Sequence, residues 1–305
     1  MHNFETGVLG RLPMAANELV PQRSGFVEIE AKKLYWEFFG SGDREVVCLL
    51  NGLAMSTHAW YAFLPRLSPA FDVLLFDYWG QGRSFSEDEP YSIPSFCHGL
   101  AAIADELRIA RLHLMGISYG GFIGLDFARL YQDRLNTLTL SGILLTHEAL
   151  FEMYEEISLL FYRTGQMELY AWYLYEKIFG EGFLRNIGPQ LGVMRQKLIE
   201  RYGHRPFCLE RLTLAQHQFF VDLDANLFAY RAVRTPTLVL AGEHDRVIAP
   251  YVQRKICGIL QNARFDLIPN SGHCVHIEQS DEFFSRLNAF MTAKSLHAPS
   301  PSAAR

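Results

Sequence analysis

The chain has no surplus of positive charge. Its 28 Lys and Arg face 33 Asp and Glu, for a net charge of −5 at neutral pH. Nothing in that balance points to a nucleic-acid or anionic-membrane surface. It also has no apolar run near the roughly 20 residues that a helix needs to cross a bilayer. The opening Met1-His2-Asn3-Phe4-Glu5 lacks a basic stretch leading into an apolar one, so no secretory signal is expected and the setting reads as cytoplasmic. The five cysteines, Cys48, Cys97, Cys208, Cys257 and Cys274, are scattered, odd in number and without a C-x-x-C pair. Buried free thiols fit this better than a disulfide framework or a zinc site, and neither metal nor cofactor is expected. What the chain does have is bulk. Hydrophobic residues make up 49% of 305 positions and charged ones 20%, enough for a large core.

Short, continuous apolar segments recur between turns: Val46 to Leu50, Val73 to Phe76, Leu112 to Met115, Leu138 to Leu140, Thr237 to Ala241 and Phe265 to Ile268. Continuous apolarity marks strands buried on both faces, as in parallel sheets. Phe26 to Ile29 and Lys33 to Phe39 read as a hairpin. Helical stretches fall between the strands at Thr57 to Leu67, Ser95 to Leu107, Gly121 to Tyr131 and Pro250 to Leu260, with a last one at Asp281 to Thr292. Alternation of this kind predicts an α/β class with a mostly parallel, doubly wound sheet. One region breaks the rhythm. Residues 146–233 show only helical periodicity, with breaks at Gly165, Gly180-Gly182, Pro189 and Gly203-Pro206, and are rich in Phe, Tyr and Trp. An all-helical insertion there has to lie over the carboxyl ends of the strands as a cap, with most aromatics packing the helices and a few lining a cavity. The domain reading is an arm over 1–24, a core over 25–145 and 234–294, the cap over 146–233, and a disordered tail over 295–305.

Gly116-Ile117-Ser118-Tyr119-Gly120 follows one predicted strand and opens a helix. A turn this sharp has no room for side chains at 116 and 120, and it lifts the Ser118 hydroxyl towards the dipole end of the helix. A serine needs a base within hydrogen-bond reach to become a nucleophile. His273, on a glycine-flanked loop after the last strand, is the candidate, with His276 as its nearest rival. Asp245, just past the strand at Thr237, is positioned to orient the histidine, and Glu243 is a possible substitute. The order Ser, Asp, His, each beyond a parallel strand, ties the three together. The charge that develops on a carbonyl oxygen needs two N–H donors, taken as those of Leu53 and Tyr119. Asn51 and Gly52, beside Leu53, are the candidate substrate contacts.

In Asn51-Gly52, Trp60, Phe76-Asp77-Tyr78-Trp79-Gly80-Gln81-Gly82-Arg83-Ser84, the Ser118 turn, Gly242-Glu243-His244-Asp245 and Gly272-His273 with Glu278, the chain resembles the α/β-hydrolase superfamily with a helical cap, from about Phe26 to Thr292. The resemblance implies a triad of Ser118, His273 and Asp245, and a structural role for Asp77 and Ser84. Two departures stand out: Asn51 replaces the usual His before Gly52, and Trp79 and Gln81 replace the usual Arg and His.

The expected activity is hydrolysis of a carboxylic ester with a small to medium apolar acyl or an aromatic group, acting on a small molecule. Asn51-Gly52 is similar to a pair in hydroxyacyl transferases and motivates an acyltransferase alternative. Enol-lactone or carbon–carbon bond hydrolysis, and a ligand receptor without turnover, complete the set.

Overall fold

A computed structural model describes residues 20–295, so positions 1–19 of the arm expected over 1–24, and all but the first residue of the tail expected over 295–305, lie outside the described residues. Eight strands form one sheet in the order β1-β2-β4-β3-β5-β6-β7-β8. They are β1 (Arg23–Ile29), β2 (Lys32–Phe39), β3 (Val46–Leu50), β4 (Asp72–Phe76), β5 (Leu112–Ile117), β6 (Leu135–Ser141), β7 (Thr237–Gly242) and β8 (Ala263–Ile268). The pairings β1·β2 and β2·β4 are antiparallel and the remaining five are parallel, as the continuous apolar runs predict. Strand β1 starts inside the expected arm, because β2 is long enough to offer Phe38 and Glu37 as partners to Arg23 and Ser24. Strand β8 is only half-buried, contrary to the expectation of burial on both faces. It is the edge of the sheet, so Arg264 and Leu267 face solvent.

Helices α1 (Ile93–Glu106) and α2 (Tyr119–Tyr131) belong to one apolar layer together with Leu50, Phe76 and Leu114. A 3₁₀ segment (Thr57–Arg66) and α10 (Ser280–Ser295) supply Trp60, Leu64, Phe283 and Leu287 to the other, which makes the sheet doubly wound. Between β6 and β7 come five helices: α3 (Ala149–Arg163), α4 (Met167–Ile178), α5 (Glu181–Tyr202), α6 (Phe207–Val221) and α7 (Leu223–Arg231). They carry their own cluster around Tyr162, Tyr170, Phe179 and Tyr202. Breaks fall at Gly165, Gly180 and Gly203, but α5 runs through Pro189. The proline removes the hydrogen bond to the Arg185 carbonyl, and that residue is exposed, so water can take its place. Two short helices, α8 (Pro250–Arg254) and α9 (Val275–Glu278), follow β7 and β8. Among the described residues no helix is long and apolar enough to cross a membrane.

Candidate active site

Parallel strands bring their carboxyl ends to one rim, and every candidate residue sits there. Ser118 directly follows β5, near the middle of the sheet, at φ 48° and ψ −120°. Its amide donates to Ser141 O at 2.8 Å, which pins the turn to the next strand. The glycines are required by sterics. A Cβ on Gly116 would lie 2.4 Å from Gly120 O, and one on Gly120 would lie 2.6 Å from Leu50 O. As the first residue of α2, Tyr119 has a backbone N–H with no acceptor inside the helix. The Ser118 hydroxyl makes no hydrogen bond within the chain among the described residues; it lines a cavity of about 220 Å³.

His273 lines the same cavity. Its Nδ1 is 2.9 Å from Asp245 Oδ2, with both side chains almost fully buried. The Asp245 carboxylate is saturated. Oδ1 accepts from Val247 N and Ile248 N at 2.9 Å each, and Oδ2 accepts from Gln253 Nε2, also at 2.9 Å. With a carboxylate on Nδ1, that nitrogen carries the proton and Nε2 is left to accept one. The histidine loop is held from the helical insertion as well. Ile178 O accepts from the backbone N–H groups of His273 and Cys274, and Glu278 Oε2 accepts from Gly272 N and Gly180 N. Gly142, after β6, faces the imidazole so closely that a Cβ would lie 2.5 Å from its Cε1.

Gln253, on α8, is a member of this arrangement that sequence reasoning missed. Fully buried, it donates to Asp245 Oδ2 and Ile248 O and accepts from Gly142 N at 2.9 Å. It fastens together the loops after β6 and β7. The only signal in the sequence is a lone amide on a short helix, between Val252 and Arg254. Gln253→Leu strands both the Gly142 N–H and one Asp245 acceptor. It is expected to lower kcat about 10–100-fold with KM within about twofold, because Gln253 does not line the cavity. Steady-state kinetics on an ester substrate check this.

The rivals fall away from the chemistry. His276 lines the cavity but is packed against Trp60 and Phe63, and burial pushes its pKa down to about 3, so it stays neutral. Glu243 accepts from Asn270 N at 3.0 Å and does not approach the imidazole. Cys274 is a half-buried neutral thiol, held well above its ordinary pKa by desolvation.

Gly52 and Leu53 line the cavity, and the Leu53 N–H makes no hydrogen bond within the chain among the described residues. Asn51, expected to touch substrate, does not reach it. Its Oδ1 accepts from Trp60 Nε1 at 2.8 Å, and its Nδ2 donates to Phe76 O at 3.1 Å and Gln81 Oε1 at 3.2 Å. Gln81 Nε2 returns to Gly52 O at 3.0 Å. Asn51 and Gln81, two of the three residues that depart from the family pattern, are thus hydrogen-bonded partners that brace the loop bearing Leu53, while Trp79 packs on Tyr91 and Phe96. Asp77 and Ser84 are structural here too. Asp77 accepts from Thr57 N and Arg83 N, and Ser84 accepts from Tyr35 N.

The insertion contributes Phe151, Tyr154, Tyr175 and Phe179 to the cavity wall, while Tyr162 and Tyr170 pack inside the helical cluster. It also contributes a carboxyl. Glu155 on α3 is 2% exposed and accepts from Gln216 Nε2 on α6 at 2.6 Å. Burial pushes its pKa up to about 7, helped by Glu152 and Glu156 on the same helix and opposed by the Gln216 hydrogen bond. The facing basic side chain is the imidazole of His217, 4.0 Å away and half-exposed. Because the folded-state pKa lies above the unfolded value, the unfolded chain loses this proton first as pH rises. Stability therefore falls from about pH 4.5 to about pH 7. Glu155→Gln cannot ionise, so its advantage over wild type is expected to grow across that window, to on the order of 3 kcal/mol above pH 7. Urea titrations at pH 5 and pH 8 measure it.

Among the described residues no group of three His, Cys, Asp or Glu gathers as a metal site. The family model for the alpha/beta hydrolase fold matches residues 45–280. The chain is 26% identical over 257 residues to a Pseudomonas savastanoi protein assigned as the carbamate hydrolase RutD, covering 83% of this chain and 95% of that one. It is 24% identical to the 2-hydroxy-6-oxo-2,4-heptadienoate hydrolase of Pseudomonas putida, covering 84% and 91%. Among solved structures it is similar to MGS-M2, an alpha/beta hydrolase enzyme from a Medee basin deep-sea metagenome library. The TM-score there is 0.80 at 26% identity, covering 88% of this chain and 97% of that one.

Proposed function

This chain belongs to the alpha/beta hydrolase family, and from that premise we propose that it is a serine hydrolase that cleaves a carboxylic ester through an acyl-enzyme on Ser118. The observation that carries the reading is the convergence on one cavity of a strained, cavity-facing Ser118 and an imidazole whose far nitrogen is fixed by Asp245. Ser118 Oγ attacks the ester carbonyl carbon while its proton passes to His273 Nε2. The carbonyl electron pair moves onto oxygen, where the N–H groups of Leu53 and Tyr119 receive it; each such donor is worth roughly 3 kcal/mol in the transition state. Collapse expels the alcohol, which takes the proton from His273. Water then attacks the acyl-enzyme with His273 as base and returns Ser118 to its hydroxyl form.

The helices between β6 and β7 act as the cap over this reaction. The cavity they close, about 220 Å³, lies below the roughly 300–1,000 Å³ usual for drug-sized ligands, which favours a compact substrate with apolar or aromatic parts. The acyltransferase alternative loses its motive, since Asn51 is spent inside the fold. A fluorophosphonate probe and a graded series of nitrophenyl esters test the proposal together. Covalent labelling of Ser118 with ester turnover is expected; an unlabelled protein without turnover at any chain length overturns it.

A further inference from the structure

The cavity has one polar end, and the reaction at Ser118 does not use it. Phe151, Leu174, Phe179 and Leu198 make most of the cap wall apolar, yet Glu155 and Gln216 also face the cavity, from two different helices. Gln216 spends one of its two amide N–H groups on Glu155 Oε1. That leaves Glu155 Oε2 and Gln216 Oε1 without a hydrogen bond inside the chain among the described residues, although the two residues are only 2% and 7% exposed. His217 stands 4.0 Å from Oε2, beyond hydrogen-bond distance. Both acceptors are open towards a largely apolar cavity, where a donor carried by a ligand can pair with them.

We propose that Glu155 and Gln216 form a subsite for a hydroxyl group that the substrate carries away from its scissile carbonyl. The assignment rests on Ser118 being the nucleophile that defines the other end. A hydroxyl suits the site better than an ammonium. It donates to either acceptor and also accepts, so it pairs with Glu155 whether or not that carboxyl holds a proton. An ammonium, with three donors to satisfy, would have to shed its water among aromatic walls for only two acceptors, of which the carboxyl alone can carry opposite charge. The hydroxyl could belong to the acyl chain or to the alcohol, and the two are separable by experiment.

The test uses the full chain and matched esters. One series pairs nitrophenyl butanoate to octanoate with their ω-hydroxy and ω-amino counterparts. The other pairs alkyl acetates with diol monoacetates of equal length. In one series, at one length, the hydroxylated ester is expected to exceed its plain partner about 10–100-fold in kcat/KM. Glu155→Leu and Gln216→Leu are each expected to collapse that ratio towards one or invert it. Binding is read independently as the rise in Tm given by a diol against that given by the plain alcohol of the same length. No hydroxyl preference in wild type by either readout overturns the proposal, as does a preference that survives both substitutions or a preference for the ω-amino esters. A wild-type protein that resists the fluorophosphonate yet still favours the diol keeps the subsite and removes only the nucleophile assignment.

Discussion

Ser118→Ala is expected to abolish fluorophosphonate labelling and to lower kcat by on the order of 10⁶, the scale seen when the nucleophile of a serine triad is removed. A residue of 10³–10⁴ over the uncatalysed reaction should persist, because the donors on Leu53 and Tyr119 and the cavity remain. The fold should persist too. The Ser118 hydroxyl makes no hydrogen bond within the chain among the described residues, so its loss removes no internal contact. Strain at φ 48° is a backbone property that alanine inherits and glycine relieves. Ser118→Gly should therefore be as inactive as Ser118→Ala and melt above it. A Ser118→Ala protein that keeps more than a hundredth of wild-type turnover would sink the acyl-enzyme mechanism.

Asp245→Asn is expected to cost about 10⁴ in kcat with the fold retained. The reason lies in the four donors that converge on the carboxylate: Val247 N and Ile248 N on one oxygen, Gln253 Nε2 and His273 Nδ1 on the other. An asparagine has one acceptor oxygen, so its NH₂ must face two donors whichever way it turns. The backbone pair cannot yield, and the imidazole can. With NH₂ towards the ring, His273 takes the tautomer that accepts at Nδ1 and carries its proton on Nε2. It can then no longer take the proton of Ser118. Initial rates of fluorophosphonate labelling should fall in parallel with turnover, because both need the same base. Turnover within tenfold of wild type would show that Asp245 does not set the tautomer.

The three residues of the proposed triad stand out in the sequence because each lies just past a strand that announces itself by local composition. The Ser118 turn is the clearest instance. Its constraint comes from contacts among Gly116, Gly120 and the neighbouring Leu50, and the spacing of two glycines around a serine encodes most of it. Asn51 was misread as a substrate contact because a residue beside a predicted oxyanion loop looks available. Its side chain instead meets Trp60, Phe76 and Gln81, and only the packing of the loops after β3 and β4 brings these together. Gln253 was missed for the same reason: its partners, Gly142 and Asp245, come from two separate loops.

Strand and helix alternation, the helical insertion, the sharp turn at Ser118 and the order Ser, Asp, His of the proposed triad all follow from the sequence alone. Each depends on a few neighbouring residues or on a short period, and a linear reading captures both. The tertiary structure decided which polar groups are spent and which are left over. It pairs Asn51 with Gln81, ties Gln253 to Asp245, and brings Glu155 and Gln216, 61 positions apart, to one end of the cavity. Hydrogen-bond capacity is settled by whichever partners the packing of distant helices and loops provides, so a side chain's identity alone does not say whether it faces its own fold or the substrate.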